Sequence, residues 1–456
     1  MHDWLAYIQD HNQQYLDELV AFLRIPSVSS LSDHEADIRT AAHWVAERMR
    51  SAGIDGVEIL PTGGHPVVVG EWLHAEDRPT ILIYGHFDTQ PADPAEEWVR
   101  PPFEPVIEDG RIFARGASDD KGNMLIPILA VEALLSTEGT LPVNVRFMFE
   151  GQEEIGSPQI PEFIDRYKDH LACDLVLSAD GLQWREDQPA LFVGFKGICA
   201  MQVDVSGPAT DLHSGIFGGA VQNPLHALSH LLDTMHDAAG RITVDGFYDS
   251  VVPITDNERR LINQVPFDEQ AYKDQLGLSE VFGEAGYTTY ERAWARPTLE
   301  INGIWGGFQG EGVKAVIPSA AHAKITCRLV ADQSPEEIIS AVTRHVDAHS
   351  PEGASARVIP LSSHAHPYLM PADHPGNKAA HEVLKDEYGV EPYYVRLGGS
   401  LPICSLFLDK LGVHTVMFGF CLEDECIHAP NEYFRLASFE RGLRCYGKML
   451  KRLAEY

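Results

Sequence analysis

Short, continuous apolar runs follow one another along the chain and return near its C-terminus. They lie at 80–84, 143–149, 175–177 and 414–418. Segments with helical periodicity lie before and between them, at the opening of the chain, at 36–52 and at 123–135. Apolar strands that alternate with helices are typical of a largely parallel sheet covered on both faces. We therefore predict an α/β domain, whose opening helix ends at Ile25 because Pro26 disfavours a helical conformation before it.

The middle of the chain has a different pattern. Residues 200–205 and 323–329 alternate between apolar and other side chains, and each run is followed by a helical segment, at 224–235 and 335–345. Ser334 and Glu337 have the spacing of a capping box at the start of the second helix. Two such strand-then-helix units predict a smaller α+β sandwich inserted into the larger domain. The predicted domains are residues 1–195 and 379–456 for the two parts of the catalytic domain, and 196–378 for the insertion.

The charge of the chain narrows the choice of partners. There are 35 Lys and Arg residues against 67 Asp and Glu residues, which gives a formal charge of −32. A field of this sign repels phosphate backbones and anionic lipids, so we expect neither nucleic acid nor membrane as a partner. The first 24 residues carry scattered acidic side chains and do not resemble a secretory signal. The seven cysteines are dispersed, which favours reduced thiols and a cytoplasmic location.

Residues suited to metal binding or acid–base chemistry follow the predicted strands of the larger domain. They are His86 and Asp88 after the first run, Glu153 and Glu154 after the second, Asp180 after the third and His428 a short loop after the fourth. Asp119 lies in the segment 115–122, just before a helix. Ligands bind outside the carboxyl ends of the strands in open α/β sheets, so we expect these side chains to meet at one edge. Each motif alone is weak, and their combination predicts a site.

The residue types in this set predict a particular chemistry. Imidazole and carboxylate ligands without thiolate suit a hydrolytic zinc, manganese or cobalt site. Asp119, Glu154 and Asp180 bring three negative charges, and a bridging hydroxide would bring the fourth needed to balance two divalent ions. A bridging carboxylate would hold such ions ~3.5–4 Å apart. We therefore expect two divalent ions per chain, with zinc preferred and manganese or cobalt as alternatives.

Six motifs carry a resemblance to a known family. They are GHFDTQP (85–91), RGASDDKG (115–122), EGQEEIGS (150–157), SAD (178–180), DLHSG (211–215) and GGS (398–400). Together they resemble the aminoacylase, carboxypeptidase G and dipeptidase family of di-zinc metallopeptidases, over nearly the whole chain. The first motif and the long segment 246–305 are similar to the branch of the carnosinases and cytosolic nonspecific dipeptidases. The resemblance implies a ferredoxin-like lid and dimerisation domain for the insertion.

The resemblance also implies roles for the candidate ligands. His86 and Asp180 would bind one ion, Glu154 and His428 the other, and Asp119 would bridge the two. It further implies a cis peptide bond between Asp119 and Asp120.

Further residues receive catalytic and substrate-binding roles from the same resemblance. Asp88 would orient the His86 ring, and Glu153 would be the general base. His213 would donate a hydrogen bond to the oxyanion in the partner subunit of a homodimer. The predicted substrate-binding residues are Arg328, His364, Gly399 and Ser400, with His366 as an alternative to His364. Ala315 stands where similar proteins often carry Thr, which leaves the finer specificity open.

We therefore predict a metal-dependent hydrolase that cleaves the peptide bond of dipeptides or very short peptides. An N-acyl-amino-acid deacylase would use the same machinery, and the long middle segment favours the dipeptidase. A non-catalytic metal or peptide binder on the same fold is the rival from another class. Such a binder would be expected to lack Glu153 or one of the metal ligands, and this chain has all of them.

Overall fold

The computed structural model describes residues 3–455, and of Ser363 only the backbone. The chain forms two compact units. One comprises the residues up to Val193, Met370–Val395 and the residues from Leu406 onward, and the other comprises Gly194–Leu369 and Arg396–Ser405. The chain therefore passes from one unit to the other close to the boundaries predicted at 195 and 378. Residues 396–405 also belong to the second unit, which was not predicted. The domain limits drawn from the sequence stay predictions.

The helices and strands are numbered in chain order. The helices are α1 Trp4–Asp10, α2 Asn12–Leu23, α3 Glu35–Ser51, α4 Gly122–Glu138, α5 Ile160–Arg166, α6 Lys168–Leu171, α7 Ser214–Phe217, α8 Pro224–Asp233, α9 Asp256–Gln264, α10 Glu269–Leu276, α11 Thr289–Ala295, α12 Pro335–Ala348, α13 Pro375–Tyr388, α14 Pro402–Leu411 and α15 Leu436–Leu453. The strands are β1 Asp55–Leu60, β2 Val67–Trp72, β3 Thr80–His86, β4 Val106–Glu108, β5 Arg111–Phe113, β6 Asn144–Glu150, β7 Leu175–Ser178, β8 Ala190–Phe195, β9 Gly197–Ser206, β10 Leu212–His213, β11 Thr298–Gly306, β12 Val316–Ile317, β13 Ala320–Leu329, β14 Ser355–Ala365, β15 Tyr368–Leu369, β16 Tyr393–Leu397, β17 Thr415–Met417 and β18 Tyr433–Arg435. None of the helices within 3–455 has the length and apolar character needed to cross a membrane.

The first unit is built on a six-stranded sheet in the order β1-β2-β6-β3-β7-β17. Strand β3 pairs in parallel with β6 and β7, and β17 pairs in parallel with β7. Strands β1 and β2 complete the sheet as an antiparallel edge. In β3 and β7 nearly every residue is buried, whichever way its side chain points. Both faces of these strands are therefore covered, and the predicted mostly parallel α/β sheet is confirmed.

The opening of the chain departs from the predicted single helix. It forms α1 and α2, which are separated by His11, and α2 ends at Leu23 rather than at Ile25. The last carbonyl groups of a helix have no partner within the helix. Here the carbonyls of Phe22 and Ile25 accept hydrogen bonds from the Lys121 ammonium group, at 3.3 and 2.6 Å. The turn after α2 is thereby tied to the segment that precedes α4.

The second unit contains a four-stranded antiparallel sheet in the order β11-β13-β9-β14. In chain order its elements run β9, α8, β11, β13, α12, β14, with α9 to α11 as an addition before β11. This is the β-α-β-β-α-β arrangement of a ferredoxin-like fold. Helices α8 and α12 share one core with the sheet, in which Met201, Leu231 and Val342 are fully buried. The α+β sandwich is confirmed.

The start of α12 differs in one detail from the predicted capping box. The Ser334 side chain accepts a hydrogen bond from the Glu337 amide, at 3.4 Å, as an N-cap does. The Ser334 hydroxyl donates to the Glu336 carboxylate at 2.6 Å. The cap is therefore one-sided, because Glu336 bonds the capping hydroxyl and no bond returns from Glu337 to the Ser334 amide.

Candidate metal centre

The parallel strands of the first unit bring several candidate residues to one edge of the sheet. His86 is the last residue of β3 and lies opposite Glu150, the last residue of β6. Glu153 and Glu154 open the short helical turn Glu153–Ile155, which follows β6 after two intervening residues. Asp180 follows β7, whose last residue Ser178 pairs with Tyr84 of β3. Since parallel strands end on the same side, side chains from three separate motifs gather there.

Asp119 reaches this edge from the turn Ala117–Lys121, which leads into α4. Gly116 starts the turn with a φ of +81°, a left-handed conformation that favours glycine. The peptide bond between Asp119 and Asp120 is cis, so this prediction is confirmed. The Asp119 carboxylate lies at the end of β3, where it contacts His86.

The two oxygens of the Asp119 carboxylate contact two different histidines. Oδ1 lies 3.0 Å from Nε2 of His86, and Oδ2 lies 2.9 Å from Nε2 of His428. The same His428 nitrogen is 3.1 Å from Oε2 of Glu154. Two groups of ligand atoms result, His86 with Asp119 and Asp180, and Asp119 with Glu154 and His428, and within each group all atoms lie within 4.8 Å of one another. The carboxylate that both groups share is that of Asp119.

Asp88 is fully buried and holds both sides of this site. Nδ1 of His86 lies 3.2 Å from the Asp88 carbonyl oxygen and 3.4 Å from its Oδ1 atom. The two carboxylate oxygens also accept hydrogen bonds from the amides of Glu153 and Glu154, each at 3.1 Å. Because Nδ1 of His86 faces Asp88, Nε2 faces Asp119. Histidines that bind metal ions commonly direct their second nitrogen to such a carboxylate.

Glu153 occupies a different position from its neighbour Glu154. Among the described residues, the two groups of ligand atoms include Glu154 but not Glu153. Burial, together with the charges of Asp180 and Asp119, raises the pKa of Glu153 well above its usual value despite the opposing effect of His86. A carboxyl group of this kind, beside a group of ligands but outside it, is suited to take up and release protons.

The pKa values of three candidate ligands show that the site favours positive charge. Hydrogen bonds to Asp119 and Glu154 raise the pKa of His428 to about 10. Burial and the nearby Asp119 charge raise the pKa of Asp180 to about 6. Burial would raise the pKa of Asp119, but its hydrogen bonds to His428 and His86 lower it. The protons on the histidines thus compensate carboxylate charge, and cations bound by these nitrogen and oxygen atoms would take over that task. The donor set therefore fits two divalent ions.

Three further residues lie near the candidate ligands, although the sequence analysis assigned them no role. Nε2 of Gln90 donates to the Glu154 carboxylate at 2.8 Å. The Asp120 carboxylate is buried and accepts a hydrogen bond from the His86 amide at 3.2 Å. Lys121 is buried as well, and burial lowers its pKa to about 7. All three lie in the same sequence motifs as the predicted ligands, and this closeness in sequence is the signal that could have identified them.

The predicted substrate-binding residues lie in the second unit. Arg328 ends near the GGS motif, and its Nη1 atom donates to the Ser400 hydroxyl at 3.0 Å. The Gly399 carbonyl accepts a hydrogen bond from the amide of Lys196, at 3.0 Å. A Cβ atom on Gly399 would meet no atom within 4 Å. Arg328, Gly399 and Ser400 are thus brought together. Lys196 lies beside them, and no sequence motif predicted its position.

The two predicted histidines of the second unit lie on different strands. His213 ends β10, and its Nδ1 atom accepts a hydrogen bond from the Gly215 amide at 3.0 Å. The exposed ring therefore presents Nε2 as its free donor. His364 lies on β14, where it pairs in register with Cys199. Nε2 of the alternative residue, His366, lies 4.0 Å from the Glu336 carboxylate.

Known proteins match this chain over most of its length. The sequence model of the peptidase family M20/M25/M40 matches residues 82–452. The Beta-Ala-His dipeptidase of Homo sapiens is 31% identical, covering 98% of this chain and 92% of that protein. The Cys-Gly metallodipeptidase of Saccharomyces cerevisiae is 29% identical, covering 97% and 96%. The structure of an M20 family metallo-carboxypeptidase from Sulfolobus solfataricus matches with a TM-score of 0.80 at 31% identity, covering 97% of this chain and 99% of that one.

Proposed function

The chain belongs to the peptidase family M20/M25/M40, and on that premise we propose that it is a dipeptidase with two divalent cations in its active site. It is a metal-dependent hydrolase of peptide bonds, and its human and yeast relatives are dipeptidases that match it over nearly their whole length. The observation that carries the proposal is the shared Asp119 carboxylate, whose two oxygens face His86 and His428 separately.

The proposed ligands divide into two sets around Asp119. His86 and Asp180 would hold one cation, Glu154 and His428 the other, and Asp119 both. The chemistry that two such cations supply is the acidification of a water molecule and the polarisation of the scissile carbonyl group. Zinc is the proposed metal, because the donors are nitrogen and carboxylate oxygen, with manganese and cobalt as alternatives.

Glu153 is the proposed general base. Its carboxylate would take a proton from the attacking water and then pass this proton to the amine that leaves. Its pKa is raised, first by burial, and a carboxyl group whose pKa lies above its usual value takes up a proton more readily, which supports this role. The hydrogen bond from its amide to Asp88 holds the turn in place.

Arg328, Gly399, Ser400 and His364 are proposed to bind the substrate. The backbone amides that precede α14 suit a carboxylate, since a helix N-terminus favours negative charge. The backbone amide of Lys196 donates to Gly399 beside them, and burial together with the neighbouring charge of Arg328 lowers the pKa of the Lys196 side chain to about 7. A carboxylate anchor of this kind would restrict substrates to very short peptides with a free C-terminus.

We further propose a homodimer in which His213 stabilises the oxyanion at the partner's site. The support comes from the resemblance, from the free Nε2 atom of His213 and from the apolar side chains beside it. Ile216 and Phe217 are 70% and 39% exposed, as expected of a surface that a partner covers. A cytoplasmic location stays a prediction.

The proposed reaction is tested by a substrate panel on metal-stripped protein restored in turn with Zn²⁺, Mn²⁺ and Co²⁺. We expect activity to vanish with the metal, to return with at least one ion, and to favour dipeptides over acetyl- or succinyl-amino acids. Hydrolysis rates are measured side by side at equal protein concentration. A preference for the acyl-amino acids would identify a deacylase, and no hydrolysis with any ion would identify a binding protein.

Glu153→Gln should retain both metal ions and bind substrate, because Glu153 is not a ligand in this account. Its kcat should fall by ~10²–10⁴ or more, the usual contribution of a general base. Steady-state kinetics and metal analysis of the purified variant check both points. Glu162→Gln, an exposed change on α5 of the same unit, is the matched control and should leave kcat unchanged. Near-normal turnover of Glu153→Gln would rule out the proposed role.

Mixing two inactive variants tests the shared site. His213→Ala and Glu153→Gln homodimers should each be nearly inactive. A heterodimer of the two combines both defects in one site and leaves the other intact, so subunit exchange should restore up to roughly half of the wild-type activity per heterodimer. Activity is followed while a tag on one variant reports exchange. No recovery despite demonstrated exchange, or full activity in an obligate monomer, would contradict the shared site.

A further inference from the structure

The segment that carries His428 also carries two buried glutamates. Glu425 and Glu432 are both 0% exposed, and neither belongs to the groups of ligand atoms found among the described residues. Between them, Cys426, His428 and Asn431 adopt positive φ angles of 56°, 59° and 66°. Such angles are uncommon for residues other than glycine, so this segment depends on contacts that hold it.

The Glu432 carboxylate accepts four hydrogen bonds from the turn that carries Asp119. Oε2 accepts from Nη1 of Arg115 at 2.8 Å and from the Gly116 amide at 2.9 Å. Oε1 accepts from the Ser118 amide at 2.9 Å and from the Asp119 amide at 3.1 Å. One side chain therefore satisfies three backbone amides within four consecutive residues, including that of the bridging ligand.

Glu425 adds a second connection between the same two segments. Its Oε2 atom accepts from the Ser118 hydroxyl at 2.6 Å. Its Oε1 atom accepts from Nη1 of Arg435 at 3.0 Å, which fixes the end of the segment beyond His428. The Asp119 turn and the His428 segment are thus joined through carboxylates that are not themselves ligands.

We propose that Glu432 is a positioning residue that sets the place of the Asp119 carboxylate between the two metal sites and holds the His428 segment in register with it. This inference rests on the proposed function, since it concerns residues that would bind the cations. All four partners are donors, so this position suits a carboxylate, which only accepts hydrogen bonds. An amide in its place would direct its own N–H groups at two of them.

The test is Glu432→Gln, measured through metal affinity rather than through activity alone. Changes to residues that orient metal ligands typically cost 10–100-fold in affinity. We expect the folded variant to bind Zn²⁺ or Mn²⁺ ~10–100-fold more weakly than wild type in titration calorimetry against a competing chelator. At saturating metal, kcat should stay reduced while KM changes little, because the Asp119 carboxylate is misplaced and not removed.

Glu132→Gln is the matched control. Glu132 is another largely buried carboxylate of the same unit, which pairs with Arg48 and accepts a hydrogen bond from the Tyr7 hydroxyl at 3.3 Å. Its replacement should lower the melting temperature and leave metal affinity unchanged. A Glu432→Gln protein that folds and binds metal like wild type would overturn the proposal. Wild-type protein that binds no metal would instead refute the proposed function.

A second variant covers the case in which Glu432→Gln does not fold. Glu432→Asp keeps the charge beside Arg115 but is one methylene too short to reach all three amides. It should fold and show the same weakened metal binding. Wild-type affinity in Glu432→Asp, or failure of both variants to fold, would assign Glu432 to the core alone and overturn the proposal.

Discussion

The gathering of carboxylates at one end of a buried sheet is the constraint on which the rest of the first unit depends. Asp119, Glu153 and Asp180 are drawn together where water cannot solvate them freely, and removing an unpaired charge from water is costly. Burial, together with neighbouring carboxylate charges, raises the pKa values of Glu153 and Asp180, and hydrogen bonds to Asp119 and Glu154 raise the pKa of His428. Divalent cations bound by these side chains would balance the carboxylate charges.

The scaffold keeps this arrangement by means of backbone contacts. The parallel strands fix the points from which His86, Glu154 and Asp180 start, and fully buried carboxylates then fix the connecting turns. Asp88 binds the amides of the Glu153–Glu154 turn, and Glu432 binds those of the Asp119 turn. Pre-organisation of this kind matters for catalysis, because a displacement of about 1 Å in a reacting group can cost ~10²-fold in rate.

Much of this could be predicted from the sequence because the relevant signals are local. A fully buried parallel strand is a continuous apolar run, so the strands that end near His86, Glu150 and Ser178 could be located, and so could the polar residues after them. The contribution of Glu432 could not be predicted, because a carboxylate that binds backbone amides across 313 residues leaves no spacing pattern. The same holds for Lys196 and for the exchange of residues 396–405 between the two units. These features depend on how distant segments meet.

We propose that two cations share the Asp119 carboxylate. Anomalous scattering from crystals of active protein loaded with Zn²⁺ or Mn²⁺ tests it most directly. We expect two peaks ~3.5–4 Å apart, one beside His86 and Asp180 and the other beside Glu154 and His428, each in contact with one oxygen of Asp119. A single peak in fully active protein, or two peaks that Asp119 does not join, would contradict it.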